Sequence, residues 1–345
     1  MRYGILGTGS YLPPAVVTNE ALAARTGVTA EWIVERTGIH ERRFCESGQA
    51  TSDLAGHAAR RALEAAELPA ELLDFIVVGT STPDFPQPAT AVVVQAALGA
   101  DKAAAFDVNS VCASFVYALD TARGLLTADP NARYALVIGA DIYSRQMNFD
   151  DHRSAVLFGD GAGAVVLGPV DDDHGILTSR LLSDGRLSEL VKVAGGGSRS
   201  PLTPSSLLAG EGLFTMRGRA VREYVQQVVP DLLCAVLKEC DLTVEDVDLV
   251  VPHQANAVLL RDCFSAAGVA PDKLHLTCPF YGNTAAASIP VTLDDVVRRR
   301  GIERGDVVVL LGVGGGMSAG ASLHRWAGTT AGLSGVGDAE RAVRS

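Results

Sequence analysis

Phe106-Asp107-Val108-Asn109-Ser110-Val111-Cys112-Ala113-Ser114-Phe115 is the stretch on which the reading of the fold turns. Residues 103–108 read as a buried strand and residues 113–127 as a helix, so Cys112 falls where strand becomes helix. A helix start exposes unpaired backbone N–H groups and the positive end of the helix dipole. Both favour a thiolate over a thiol, and the position predicts a cysteine that is nucleophilic near neutral pH. The plainer reading of a free cysteine is a small buried hydrophobe.

The pattern around Cys112 recurs along the chain. Residues 75–80 (FIVVGT) and 134–140 (YALVIGA) are continuous apolar runs, as expected of strands covered on both faces by helices. Residues 2–7 form a strand that leads into a turn at 9–14. Thr29 and Gly38 bracket a short helix, and Thr51-Ser52-Asp53 caps a longer one over 54–68. The second half rhymes with the first. Strands are expected at 176–183, 247–251, 307–313 and 320–326, and helices at 215–239, from Asn256 to Ala267, and 283–300. Residues 194–212, rich in Gly, Ser and Pro, read as a loop. Strands alternating with helices argue an α/β fold with parallel sheet, built from a duplicated unit over residues 1–170 and 171–328. The polar tail, 329–345, is expected to be disordered.

Composition narrows the function. The chain of 345 residues is 48% hydrophobic, enough for a large core, and its formal net charge of −11 with no basic block argues against nucleic acid. Six cysteines include no CxxC pair and no zinc-like spacing, so no metal is expected. No leader pattern opens the sequence, and no apolar run reaches the ~18 residues that would span a membrane. A reduced, cytoplasmic enzyme is the expectation.

Two further turns follow apolar segments. One carries His253 in Pro252-His253-Gln254-Ala255-Asn256, the other Asn283 in Tyr281-Gly282-Asn283-Thr284. A thiol nucleophile, an imidazole and a carboxamide make an acyl-transfer set. Cys112 would take an acyl group as a thioester, while His253 Nε2 and the Asn283 amide donate hydrogen bonds to a forming enolate oxygen. Gly314-Gly315-Gly316 lets backbone approach a ligand, and the Gly315 N–H could join the Cys112 N–H as an oxyanion hole. Taken singly, each has an ordinary reading: a hydrogen-bonded structural histidine, a common turn, a flexible glycine run. Gly159-Asp160-Gly161-Ala162-Gly163 lacks the phosphate-loop pattern and reads as tight sheet packing.

These motifs, in this order, resemble the β-ketoacyl-acyl-carrier-protein synthase III family of the thiolase superfamily. The resemblance runs from Gly7-Thr8-Gly9-Ser10-Tyr11-Leu12-Pro13 to Trp326 and includes Glu31-Trp32-Ile33 with Arg36-Thr37-Gly38-Ile39. It implies a five-layered αβαβα thiolase-like fold from two similar halves, assembled as a homodimer. It implies acyl-CoA and a malonyl thioester as substrates, with no cofactor, and a decarboxylative condensation through Cys112, His253 and Asn283, as in priming a fatty acid or polyketide. Coenzyme A contacts fall on Trp32, Arg36, Thr37, Arg153 and Asn256. An acyl carrier protein is admitted as a partner, but its docking surface is atypical: Val258, Ser265, Ala266 and Glu223 stand where the family carries basic residues, with Arg217, Arg219, Arg222 and Arg261 nearby. Gln87, Val313 and Ala319 replace aromatics, which predicts a wider or more polar pocket than one built for acetyl, and Ser114 stands where glycine is common. The alternative reading is an acyltransferase that passes the acyl group to an alcohol or amine. A biosynthetic thiolase would need a second cysteine within residues 314–318, which hold none. A non-catalytic binding partner has no need of the Cys, His and Asn set.

Overall fold

The computed structural model describes residues 2–328, so the expected tail at 329–345 lies outside the described residues. Nine strands make two sheets. β1 (Arg2–Tyr11), β2 (Phe75–Gly79), β3 (Ala104–Val108), β4 (Ala135–Asp141) and β5 (Gly161–Val170) form the first, in the order β1-β5-β4-β2-β3. β6 (Gly175–Ser183), β7 (Leu249–Pro252), β8 (Val307–Gly314) and β9 (Ser318–Arg325) form the second, in the order β7-β8-β9-β6. In the first, β3, β2 and β4 run parallel and β5 and β1 alternate antiparallel. In the second, β7 and β8 are parallel and β9 and β6 antiparallel. The orders correspond strand for strand. The fifth place in the second sheet shrinks to a single parallel bridge between Val250 and Leu274.

Seven helices frame the sheets and the site: α1 (Ala30–Thr37), α2 (Thr51–Ala65), α3 (Thr90–Leu98), α4 (Ser114–Ala128), α5 (Gly218–Lys238), α6 (Ala257–Ala266) and α7 (Ser288–Arg299). α2 and α3 cover the outer face of the first sheet, and α5 and α6 that of the second. α4 and α7 touch both sheets and fill the space between them, completing five layers. This explains the apolar runs. β4 and β8 are buried along their whole length because helices lie on both faces.

Several boundaries differ from the sequence expectation. Residues 9–11, expected as turn, prolong β1 because pairing continues to Tyr11 opposite Ala162. α2 starts earlier than expected. The Asp53 carboxylate accepts from Ala50 N at 2.8 Å, while Thr51 lies inside the helix and gives its hydroxyl to Thr82 O. The loop expected at 194–212 contains a short helix, Pro204–Leu208, capped by Thr203. Phe214–Met216, whose last two residues were expected in α5, form a strand with Val191–Val193.

Candidate active site

The turn after β3 holds Cys112. Its first turn is 3-10, Val111–Ala113, and α4 begins at Ser114. Val111 has φ 51°, a left-handed conformation that a β-branched residue rarely adopts. Local bonds hold it there. Val111 N donates to Asn109 Oδ1 at 3.1 Å, and Ser114 Oγ accepts from Ser110 N at 2.8 Å and donates to Val111 O at 2.6 Å. Ser114 is therefore the tie of the Cys112 turn. The end of β8 presses on it: a Cβ on Gly314 would sit 2.8 Å from Cys112 N and 2.5 Å from Ser110 O, which only glycine avoids.

His253 follows β7, anchored by its N–H to Leu311 O at 2.7 Å. Its Nδ1 lies 2.6 Å from Ser288 Oγ, and Ser288 Oγ donates to Ala285 O at 2.8 Å. With the single hydroxyl proton committed there, Nδ1 carries the ring proton and Nε2 is left with a lone pair. Burial lowers the His253 pKa to about 4, against the opposing pull of the Ala285 carbonyl, so the ring is neutral. The sequence reading expected Nε2 as a donor; at rest it is an acceptor.

Asn283 is set by its own turn. Ala285 N donates to Asn283 Oδ1 at 2.9 Å, which leaves Nδ2 as the free donor end. Asn283 N donates to Leu157 O at 2.8 Å and Asn283 O accepts from Gly159 N at 3.0 Å. The glycines read as tight packing do pack tightly: a Cβ on Gly159 would stand 2.3 Å from Tyr281 O beside this turn, and one on Gly163 2.6 Å from Val291 N in α7. Below, Asp141 Oδ2 accepts from Ala286 N at 2.9 Å, while its Oδ1 gathers bonds from Ser81 and Thr82.

Electrostatics correct the expected thiolate. Burial first, and the nearby Asp141 carboxylate second, push the Cys112 thiol well above its ordinary pKa; its backbone N–H pulls the other way and loses. The resting pair is a neutral thiol and a neutral imidazole, suited to transfer of the thiol proton as sulfur attacks.

One cavity of about 550 Å³ brings together Cys112, His253, Asn283 and Gly315 with Trp32, Arg36, Thr37, Arg153 and Asn256. Trp32 meets His152 edge-on at 5.4 Å, beside Arg153 at the mouth. Two polar residues on this wall are occupied structurally. The Thr37 hydroxyl donates to Ile33 O at 2.6 Å and accepts from Ile39 N. Asn256 caps α6 through Leu259 N and donates to Arg36 O at 3.0 Å, tying α1 to α6. An outer cleft beside the mouth carries Arg153, Arg217 and Arg219 with Asp151 and Glu223. Around Cys112 stand Tyr143, Phe158 and Phe214, with ring centroids 4.5 to 5.6 Å apart. Of the three positions where aromatics are replaced, Val313 lines this cavity.

Sequence reasoning missed Asp141 and Ser288. Asp141 could have been noticed as an acid ending an apolar run. Ser288 had no local signal, since its role depends on a histidine 35 positions earlier. Among the described residues no cluster of His, Cys, Asp or Glu could hold a metal ion, and no helix is long and apolar enough to cross a membrane.

Known proteins resemble the chain over nearly its whole length. Residues 106–185 match the family model described as 3-oxoacyl-[acyl-carrier-protein] synthase III, and residues 237–326 match that of its C-terminal domain. Acetoacetyl CoA synthase NphT7 of Streptomyces sp. (strain CL190) is 47% identical over 328 residues, covering 94% of this chain and 99% of the relative. A β-ketoacyl-[acyl-carrier-protein] synthase III of Laribacter hongkongensis is 46% identical over 319 residues, covering 92% and 98%. The crystal structure of 3-oxoacyl-[acyl-carrier-protein] synthase III from Aquifex aeolicus superposes with a TM-score of 0.86 at 36% identity, covering 94% of this chain and 100% of that one.

Proposed function

The chain belongs to the 3-oxoacyl-[acyl-carrier-protein] synthase III family of condensing enzymes, and on that premise we propose how its own residues perform the reaction. The enzyme is an acyltransferase that condenses an acyl group with a malonyl thioester. Cys112 Sγ attacks the acyl-CoA carbonyl and its proton passes to His253 Nε2. The backbone N–H groups of Cys112 and Gly315 receive the oxyanion. The bond to the coenzyme sulfur breaks, and the imidazolium returns the proton to the leaving thiolate. The malonyl thioester then enters the same cavity. Its carbon–carboxylate bond breaks, CO₂ leaves, and the electron pair passes to the thioester oxygen, which accepts from Asn283 Nδ2. His253 adds a second donor in the tautomer with its proton on Nε2, the Ser288 hydroxyl then turned to Nδ1. The enolate carbon attacks the acyl-cysteine, and sulfur leaves as a thiolate that takes up one proton.

The observation that carries this reading is the shared cavity, which Cys112, His253 and Asn283 all line, with His253 Nδ1 engaged by Ser288 and Asn283 Oδ1 engaged by Ala285 N. Arg36 and Arg153 at the mouth suit the coenzyme phosphates, and Trp32 suits the adenine. The alternative of a plain acyltransferase is not favoured, because an alcohol or amine acceptor has no use for an enolate-stabilising amide.

For the second substrate we propose malonyl-CoA over a carrier-protein thioester. Arg219 pairs with Glu223 at 3.1 Å and Arg222 with Asp262 at 3.2 Å, so two of the arginines beside the mouth face acids, which weakens a basic platform there. Ser265 and Ala266 are exposed on α6 and offer an acidic partner no charge. The free outer edge at β3 suits a homodimer, which sedimentation reads as a two-chain mass.

The test is Asn283→Ala. Condensation falls by about a hundredfold or more, while self-acylation from acyl-CoA stays within about tenfold of the unaltered protein. Equal loss of both steps contradicts the division of labour. Malonyl-CoA and the malonyl carrier protein are run in parallel, and a higher kcat/KM with the carrier contradicts the choice of thioester.

A further inference from the structure

The cavity continues past the catalytic residues. On α5, Val221, Val225 and Val229 recur at four-residue spacing and line it on one face. On α6, Leu260 and Phe264 do the same. Alternation along β8 turns Leu311 and Val313 to the same side, and Met317 lines the cavity with them. From Gly218 at the mouth to Val229 the wall follows eleven residues of helix, roughly 16 Å at 1.5 Å per residue. The result is an apolar recess lined by α5, α6 and β8, continuous with the cavity that holds Cys112 and His253.

None of these deep side chains carries a polar atom apart from the Met317 sulfur. Val229 is 1% exposed and Phe264 0%, so both belong to the core of this half yet face empty space. A hollow of this kind forfeits dispersion contacts, and protein interiors keep few of them. An apolar hollow stays dry and accepts an apolar guest. The opposite side of Cys112 gives little room, because Tyr143, Phe158 and Phe214 pack there ring against ring.

We propose that the recess between α5 and α6 is a binding site for the alkyl chain of the acyl group carried on Cys112, so that linear acyl groups longer than acetyl are substrates. This rests on Cys112 as the acylated residue. The length of the wall argues a linear chain, and the lack of oxygen and nitrogen atoms on its deep side chains argues an unsubstituted one.

The test uses the full chain with acetyl-, octanoyl- and dodecanoyl-CoA, reading Cys112 acylation by intact mass over time. Val229→Phe fills the recess and lowers the octanoyl-to-acetyl rate ratio by about tenfold or more. Val229→Ala enlarges it and raises the dodecanoyl-to-octanoyl ratio. Val225→Phe replaces Val229→Phe if the latter fails to fold, judged by thermal melting. Unchanged ratios in the filled and enlarged variants overturn the proposal, as does an unaltered protein that takes acetyl alone. A protein that takes no acyl group, acetyl included, overturns the nucleophile assignment itself.

Discussion

The role proposed for His253 needs a buried, neutral ring, and burial has a measurable consequence. Its pKa falls from 6.5 to about 4 in the folded protein. Between those values the unfolded chain binds the extra proton and the folded one does not, so this residue's contribution to stability falls as pH drops through that window. The size is on the order of 3 kcal/mol across the window. His324, lowered to about 3 by burial and by Arg123, acts in the same sense. Asp141 and Asp160, raised by burial, act in the opposite sense, so total stability mixes the signs. The comparison that isolates His253 is urea unfolding of the unaltered protein and His253→Gln at pH 7 and pH 5. The stability of the unaltered protein falls relative to the variant at the lower pH. Parallel behaviour, or a gain relative to the variant, contradicts a buried neutral ring. Ser288 belongs to the same account, since the ring proton on Nδ1 depends on where the Ser288 hydroxyl points.

Residues 283–288 hold both the Asn283 amide and the partner of His253, so this segment acts as one element. It sits on β4 where Gly139 leaves no gap: a Cβ there would come 2.2 Å from Ala286 O. Gly139→Ala pushes the segment away, with an expected loss of about 1–3 kcal/mol and a larger fall in condensation than in self-acylation. Thermal melting with both assays reads this. A variant with unchanged melting and an unchanged ratio of the two rates contradicts the coupling. The sequence made the strands of this site legible, because runs such as those at β4 and β8 have no other use than burial between helices. It also made α1 legible, through Thr29 and the left-handed Gly38 at its two ends. Phe214–Met216 was hidden because its partner strand lies about twenty residues away, and local pattern carries no trace of that pairing. Ser288 was hidden for the same reason, and although Asp141 was visible as an acid ending an apolar run, its partner Ala286 N is brought near only by the layered fold.

At the scale of the molecule, the duplicated sheets lay the Cys112 turn from one half against the His253 and Asn283 turns from the other. The middle helices α4 and α7 start at that junction, and α7 begins with Ser288 itself. The motif order in the sequence was enough to single out three residues that the fold brings to one cavity. The protonation state was not, because the dipole argument at Cys112 ignored the burial and the Asp141 carboxylate that outweigh it. The account stands on Cys112 as the acceptor of the acyl group. Intact-mass spectrometry of the unaltered protein and Cys112→Ala after incubation with acetyl-CoA tests it most directly. The expected result is one acetyl adduct on the unaltered chain, mapped to Cys112 and discharged by malonyl-CoA, with none on the variant; an equal adduct on Cys112→Ala contradicts it.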